Sequence, residues 1–234
     1  MKMIYEGKAK KVFQGAKPEE VVVEYKNSLT AFNAQKKGEF EGKGLINREI
    51  TSLLFRELQK SGIKTHWLKD LEDHQMLVKK LSIIPLEVVV RNTLAGSLAK
   101  KLGRDEGLPL SQPLVEFYLK DDALGDPFMS SEQIVVLGIA DQKTLDELKA
   151  SALIINQALL PIMEKAGLKL VDFKLEFGRD SKGEILLGDE ISPDTCRLWD
   201  LKSSEKMDKD RFRRDLGGVD SAYKEVLKRL QGVL

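Results

Sequence analysis

The sequence predicts an α+β protein, in which strands and helices mix without strict βαβ alternation. Three observations favour this class. Short β-branched runs at Val21–Tyr25 and Leu86–Val90 are typical of strands. Two longer stretches, 44–61 and 141–166, repeat apolar residues with a helical period. Between 172 and 194, charged and apolar residues alternate on either side of a polar, glycine-containing turn, which favours a hairpin.

Size and composition indicate a soluble globular protein of one large domain or two lobes. The chain has 234 residues, of which 42% are hydrophobic and 32% charged, which is enough for a substantial core. Its net charge of +1 points to neither nucleic acid nor membrane as a partner. The single Cys196 cannot form an internal disulfide, and the N-terminus lacks the apolar run of a signal peptide. We therefore expect a cytoplasmic protein.

The first part of the chain is predicted to be rich in strands. One helix interrupts them, because Ile46, Ile50 and Leu54 fall on one face and Gly62 stands where a helix-terminating residue belongs. We place a soft boundary after residue 80, which gives units of 1–80 and 81–234. The predicted elements are strands at 11–13 and 21–25, a helix at 44–61, and strands at 65–68 and 75–81.

The second part opens with the strand that ends in Arg91, and a short helix then begins at Gly96 and Ser97. In the long helix, Asp141 is the predicted N-cap, and Pro161 should kink the helix or shift its end. The remaining elements are the hairpin and a closing helix at 220–230.

The hairpin carries the strongest chemical signal. Asp172, Lys174 and Glu176 share one face of its first strand. If the turn is centred on 182–183, Glu176 stands opposite Asp189, and two like charges in that position destabilise a ladder. A divalent cation between them would remove the repulsion, and the lysine would add affinity for phosphate. The alternative is an ordinary exposed hairpin with scattered charges, whose register could slip by one residue.

Two glycine–lysine segments are candidates for binding phosphate. Gly7, Lys8 and Lys10 lie at the turn of a predicted N-terminal hairpin, where glycine permits close backbone approach and lysine supplies charge. Lys43 lies between two glycines before the first helix, whose free N–H groups attract anions. Solvated terminal lysines and a flexible loop before the helix are the alternative interpretations.

Arginines next to loops suggest a second anion site. Arg91 ends a strand and Ser97 begins a helix, so the two can hold one phosphate, although an ion pair and a helix cap would also explain them. Phosphate binding is the preferred interpretation, because Arg197 and Arg213 also lie beside loop motifs. The charge run 208–214 is itself typical of a solvated helix face.

Taken together, these segments resemble the SAICAR synthetase family, the purine-pathway ligases. The resemblance covers nearly the whole chain, and the joint presence of its segments in one order is highly specific. The segments are Gly7–Lys10, Gly42–Gly44, Pro85–Asn92, Ala95–Ser97, Asp126–Pro127, Asp172–Gly178, Gly188–Asp194, Arg197–Asp200 and Asp208–Arg213.

The resemblance implies a reaction, a fold and partners. The reaction joins L-aspartate to the carboxylate of carboxyaminoimidazole ribonucleotide (CAIR) at the expense of ATP, giving SAICAR, ADP and phosphate. The implied fold has two lobes: a β-rich lobe like the small lobe of kinases and a larger α+β lobe, with ATP in the cleft. The implied cofactors are ATP and Mg²⁺, and bacterial members are commonly dimers or larger.

The resemblance also implies site roles. Glu176 and Asp189 would hold magnesium on the ATP phosphates, and the backbone of Lys79–Leu81 would contact adenine. The expected catalytic residues are Lys174, Lys10 and Arg213. ATP would also contact Gly7 and Lys8. The residues expected to contact the substrates are Arg91, Ser97, Asp172, Asp194, Arg197 and Lys43.

Two positions depart from the family pattern. Many relatives carry Gly-Asp where this chain has Phe32-Asn33, and many carry histidine where it has Gly125. An amide cannot act as an ionised ligand. A regulatory nucleotide-binding domain would lack the metal carboxylates or the arginines, and a kinase would need an Asp-Phe-Gly motif where this chain has Asp172-Phe173-Lys174.

Overall fold

A computed structural model describes residues 1–31 and 35–234 of the chain. Within those ranges the helices α1 to α6 are Lys43–Lys60, Gly96–Leu102, Ser131–Val136, Gln142–Lys165, Asp210–Arg213 and Val219–Gln231. The strands β1 to β13 are Met3–Glu6, Lys10–Gln14, Glu20–Tyr25, Ser28–Ala31, Lys36–Glu39, Trp67–Asp70, Gln75–Lys79, Ser82–Thr93, Pro109–Leu119, Phe128–Met129, Leu168–Arg179, Ile185–Leu187 and Cys196–Asp200.

The first sheet is antiparallel and has the strand order β1-β2-β3-β7-β6. Its small core contains Val21, Val23 and Tyr25 from β3, packed against Met76 and Val78 of β7. Successive side chains of a strand point to opposite faces, so Val21, Val23 and Tyr25 share one face of β3 and Met76 and Val78 share one face of β7. The pairs β1-β2, β2-β3 and β6-β7 connect neighbours in sequence, whereas β3-β7 joins strands on either side of α1.

The second sheet has the order β10-β9-β8-β11-β12, and β13 also pairs with β11. Its centre is the antiparallel pair of the two longest strands, β8 and β11. In their register Asp172 stands opposite Arg91, and Glu176 stands opposite Glu87. The central pair therefore carries charged residues on a face where most side chains are sheltered from water.

Helices α1, α4 and α6 cover this sheet and form the main core with it. Ile50 and Leu54 of α1 are fully buried in the cluster that also contains Leu148 of α4 and Val226 of α6. Although α1 precedes residue 80, its apolar face belongs to the larger core. The predicted division into 1–80 and 81–234 stays a prediction.

Most predicted elements are confirmed, with shifts at their ends. The first and last predicted helices are α1 and α6, and the Asp141 carboxylate caps α4 by accepting from the Thr144 amide. The long helix runs through Pro161 to Lys165, so its end does not move to the proline. The strand predicted at 65–68 is wrong by two residues, since β6 is Trp67–Asp70.

Several elements of the second part were not predicted, among them β9, β10, α3 and β13. Strand β9 contains two prolines and is largely exposed, so it lacks the apolar run of a buried strand. Helix α3 is too short for periodicity, although Ser130 and Gln133 form a capping box at its start, which is a readable signal.

The start of α1 is fixed by a close approach between helix and sheet. A Cβ atom added to Gly44 would lie 2.3 Å from the Tyr25 carbonyl oxygen, and the Gly44 amide donates to the Asn27 side chain at 2.9 Å. Tyr25 ends β3 and Asn27 lies in the connection to β4, so the helix cannot move away from the Tyr25 carbonyl oxygen without losing its hydrogen bond to Asn27. Glycine is therefore required here for lack of space.

We expect Gly44→Ala to lower the free energy of unfolding by about 2 kcal/mol, because the new methyl group overpacks against backbone. Urea denaturation checks this. The matched control is Gly232→Ala at the end of α6, where an added Cβ would have no neighbour closer than 3.5 Å. Equal stability of the two variants would contradict the steric explanation.

Candidate active site

Lys174 is the centre of a charged cluster on the β8–β11 face. Its ammonium group binds Glu176 on its own strand and lies 3.0 Å from Glu87 on β8 and 3.5 Å from Asp189 after β12. Burial opposes the charge on Lys174, but these carboxylates outweigh it and raise the lysine's pKa well above its ordinary value. The ladder places Glu176 and Glu87 directly opposite each other, and the lysine relieves their repulsion.

Lys10 brings the first sheet to the same cluster. Its ammonium group binds Asp189 and lies 2.8 Å from the buried Glu190. Burial opposes ionisation of Asp189, yet Lys10 and Lys174 outweigh it and hold the carboxyl pKa below its ordinary range. The structure therefore brings together Lys10, Lys174, Glu176 and Asp189, the four residues expected to handle ATP phosphates and metal.

The predicted hairpin register is wrong by one residue. Phe177 pairs with Leu187, and the Gly188 amide donates to the Glu176 carbonyl oxygen at 2.9 Å, so Glu176 does not stand opposite Asp189. The ladder ends at Leu187, and Asp189 adopts a left-handed conformation with φ 52° that turns the chain out of the sheet. Lys174 nevertheless joins the two carboxylates, so they remain neighbours in space.

Lys120 belongs to this cluster and was missed by the sequence analysis. Its ammonium group lies 2.8 Å from Glu176, and its backbone amide donates to the Pro85 carbonyl oxygen at 3.0 Å. The residue follows β9, an element that was not predicted. Glu190 was also missed, although it stands next to Asp189 in the quoted segment.

The predicted glycine turn lies at the edge of the cluster. The Gly7 amide donates to the Lys10 carbonyl oxygen at 2.8 Å, which closes the turn between β1 and β2. Lys8 extends from this turn to Asp122 in the loop that follows Lys120, with 2.8 Å between the charged atoms. The turn thus links the first sheet to the loop between β9 and β10, and its lysine is partly exposed.

The segment expected to contact adenine connects β7 to β8 and therefore joins the two sheets. The amides of Lys79 and Lys80 already donate to the carbonyl oxygens of His66 and Glu19, at 2.7 and 2.8 Å. Leu81 packs against Gly178 and Gly188, where an added Cβ would lie within 3.2 Å of its side chain. A base would have to use other groups of this segment.

The predicted arginine site forms at the other end of the same strands. Arg91 donates to Glu116 at 2.6 Å, to Asp172 at 2.8 Å and to Ser97 at 3.3 Å. Tyr118 approaches the same guanidinium group at 3.2 Å. The structure thus shows both the ion pairs of Arg91 and its predicted proximity to Ser97.

Arg197 completes this site from β13. Its guanidinium group donates to Asp172 at 2.9 Å and, through Nε, to Asp210 at 2.9 Å. It also covers Gly96, whose φ is +56° and where an added Cβ would lie 2.5 Å from Cζ of Arg197. Arg213 of α5 donates to the same Asp210 at 2.5 Å. Asp172 thus links the two arginines that were expected to hold phosphate.

Lys43 and Asp194 were both expected to contact substrate, and they bind each other at 2.5 Å. The second oxygen of Asp194 accepts from the Tyr223 hydroxyl at 2.7 Å, which ties α6 to the loop after β12. Lys43 is buried, so in this structure it is occupied by the ion pair.

The charge run 208–214 is not a solvated helix face, contrary to the sequence analysis. Asp208 and Asp210 are buried. The Asp208 carboxylate accepts from the amides of Leu198 and Asp210, at 2.8 and 2.7 Å, so it organises the turn into α5. Burial, reinforced by Asp210, raises the pKa of Asp208 to about 7.

The carboxylates of the Lys174 cluster are chemically suited to Mg²⁺. This ion is usually held by one or two carboxylates together with substrate phosphates and water, and Glu176 and Asp189 provide such a pair. Throughout residues 1–31 and 35–234, no group of three or more His, Cys, Asp or Glu side chains is arranged to hold a metal alone. The departure at Asn33 lies outside the described residues.

We expect the Asp208 carboxyl to make stability depend on pH. In the unfolded chain it ionises near 3.8, whereas in the folded chain it keeps its proton up to about 7. Between these values the unfolded state binds fewer protons, so the free energy of unfolding contributed by this group falls as pH rises and levels off above 7. Asp208→Asn should remove this slope. Parallel melting curves for wild type and variant from pH 5 to 8 would contradict the assignment.

Comparison with known proteins now supplies the family. The family model for SAICAR synthetase matches residues 3–230. A phosphoribosylaminoimidazole-succinocarboxamide synthase of Lysinibacillus sphaericus is 55% identical over 230 residues, covering 98% of each chain. The crystal structure of such a synthase from Ehrlichia chaffeensis has 43% identity and a TM-score of 0.96, covering 100% of this chain and 99% of the other.

A further structure, described as SAICAR synthetase in complex with ADP, has 45% identity and a TM-score of 0.94, and the match covers 97% of both chains. No helix in the described part of the chain is long and apolar enough to cross a membrane. The family model, the curated relative and the solved structures each match nearly the whole chain. The chain therefore belongs to the SAICAR synthetase family of ATP-dependent purine-pathway ligases.

Proposed function

We propose that the chain activates the CAIR carboxylate as an acyl phosphate before L-aspartate displaces phosphate. One observation carries the proposal: the lysine–carboxylate cluster and the arginine cluster share a face of β8–β11. Asp172 and Glu176 are four residues apart, so the two clusters lie roughly 13 Å apart along the strand. One surface can thus hold ATP phosphates at one end and a ribonucleotide phosphate at the other.

Two displacements make up the proposed reaction. A CAIR carboxylate oxygen attacks the γ-phosphorus of ATP while the bond to the β,γ-bridging oxygen breaks, which leaves ADP and an acyl phosphate. The neutral amine of L-aspartate then attacks the acyl carbon. The tetrahedral intermediate collapses with loss of phosphate, and the nitrogen loses a proton to give the amide. The first step replaces oxide, a poor leaving group on the acyl carbon, with phosphate, a good one.

The residues contribute positioning and charge, which dominate catalysis of phosphoryl transfer. Lys10 and Lys174 lie beside the carboxylates where the phosphates would sit, and they would stabilise charge on the transferred group. Gly7 and Lys8 would contact the phosphates from the edge. Arg91, Ser97 and Arg197 would hold the ribonucleotide phosphate, oriented by Asp172. Lys43, Asp194 and Arg213 stay predicted contacts of the same cleft.

Glu176 and Asp189 would hold Mg²⁺ together with the nucleotide. The bound ion would neutralise charge on the ATP phosphates. Lys174 and Lys10 lie beside the same carboxylates and would stabilise charge on those phosphates. A homodimeric assembly and a cytoplasmic location are further predictions from the family resemblance and the sequence.

The proposal is tested by ADP release with ATP and Mg²⁺, leaving out CAIR and L-aspartate in turn. We expect stoichiometric ADP and SAICAR only with both substrates, and slow ADP release with CAIR alone as the acyl phosphate hydrolyses. Incubation with [¹⁸O]-carboxylate CAIR should transfer one label to the released phosphate. Unlabelled phosphate would rule out the acyl phosphate while leaving the ligase reaction intact.

We expect Glu176→Gln to lower kcat by at least about 10²-fold, because one charge facing the metal and Lys174 is lost. Steady-state turnover at rising Mg²⁺ measures this. The matched control is Glu87→Gln, which removes another carboxylate partner of Lys174 but no proposed metal ligand. Recovery of normal turnover in Glu176→Gln at saturating Mg²⁺, or equal losses in both variants, would contradict the metal assignment.

A further inference from the structure

Arg91 and Arg197, the two arginines of the proposed phosphate site, belong to a chain of ion pairs that also contains Arg213. Asp172 lies between Arg91 and Arg197, and Asp210 lies between Arg197 and Arg213. Asp172 belongs to the predicted site, whereas Asp210 was assigned no role. Asp210 is a buried carboxylate between two arginines, and its contribution to the site has not yet been assigned.

Both carboxylate oxygens of Asp210 accept hydrogen bonds from arginines. Oδ2 accepts from Nε of Arg197 at 2.9 Å, and Oδ1 accepts from a terminal nitrogen of Arg213 at 2.5 Å. Arg214 is more distant, at 3.5 Å. The Asp210 side chain is only 2% exposed, and the Asp208 carboxylate fixes its backbone amide. A carboxylate held in this way defines where both guanidinium groups lie.

Arg197 is consequently fixed on three sides. Asp172 holds one terminal nitrogen, Asp210 holds Nε, and the backbone of Gly96 lies against the plane of the group. Among the described residues, its second terminal nitrogen makes no hydrogen bond within the chain. A guanidinium group fixed with donors to spare is preorganised for an anion, since little side-chain freedom remains to be lost on binding.

We infer that Asp210 is a positioning residue for ribonucleotide binding: it orients Arg197 for the phosphate without touching the substrate, and it anchors Arg213 beside Arg197. The inference rests on the proposed role of the arginine cluster. Arg91, Arg197 and Arg213 face the carboxylates of Asp172, Asp210 and Glu116, so the fixed geometry of Arg197 and its remaining N–H donors, rather than excess positive charge, favour phosphate. The effect of Asp210 should be confined to ligands that carry the phosphate.

The test compares the dissociation constants of CAIR and of the corresponding riboside, which lacks the phosphate, by calorimetry. We expect Asp210→Asn to weaken CAIR at least about tenfold, as for loss of a charge-assisted contact, and to leave the riboside and the KM for ATP unchanged. In an Arg197→Ala background, Asp210→Asn should cause little further loss of affinity for CAIR. The matched control is Asp200→Asn, which removes a carboxylate partner of Arg229 on α6; its ratio of the two constants should equal that of wild type.

The outcomes separate the two levels of the proposal. If wild type binds CAIR and riboside equally, the arginine cluster is not a phosphate site and the proposed function of these arginines fails. If wild type prefers CAIR and Asp210→Asn keeps the full preference, only the role of Asp210 is overturned. If Asp210→Asn does not fold, Asp210→Glu is measured instead: it keeps the charge but displaces it, and a ratio equal to that of wild type overturns the inference.

Discussion

The pairing of β8 with β11 is the constraint on which the site depends. Its register places Arg91 against Asp172 and Glu87 against Glu176, and Lys174 lies between these pairs on the same face. The opposite face packs on α4 and α1, so the register cannot slip by one residue without driving charges into the main core. Hydrophobic packing on one face thus fixes the positions of the chemical groups on the other.

Sheltered charges require partners, and the site meets this requirement in an alternating pattern. Lys174 bridges three carboxylates, Lys10 binds two, and Asp172 bridges two arginines. Removing Lys174 would take from the sheltered Glu87 its cationic partner, and an unpaired sheltered charge costs far more than the net worth of the pair. The same partners hold each cation near its working position before any ligand arrives. Stability and preorganisation are therefore two consequences of one network.

Local patterns predicted much of this from the sequence. The helical periods of α1 and α6 and the alternation in β11 are properties of short segments, so they could be found without knowing the fold. The hairpin register could not, because it is set by the turn 180–184, where the Asp180 amide donates to the Glu184 carbonyl oxygen and Gly183 has φ 82°. A polar, glycine-containing segment of this length fits turns of more than one size, and each size gives a different register. The burial of Asp208 and Asp210 depends on contacts with β13.

Residues that act through distant contacts were the hardest to predict. Lys120 follows a strand with no clear apolar pattern, and it reaches Glu176 only because β9 pairs with β8 and β8 with β11. Asp210 looked like one charge among many in a polar run. Its partners Arg197 and Arg213 were found because arginine beside a loop is a recognisable signal. The carboxylate that fixes them carries no such signal, and its role follows only from the three-dimensional contacts.

The departure at Gly125 can be interpreted from the backbone. Gly125 has φ 77° and the next residue, Asp126, has φ 50°, so the loop after Lys120 makes a left-handed turn. Glycine adopts this conformation without strain, whereas histidine tolerates it at some cost. The Asp126 carboxylate accepts from the Asp121 amide at 3.0 Å and closes the turn, and Gly125 is exposed. Glycine here therefore preserves the loop that positions Lys120 and Asp122, while the loop goes without an exposed imidazole.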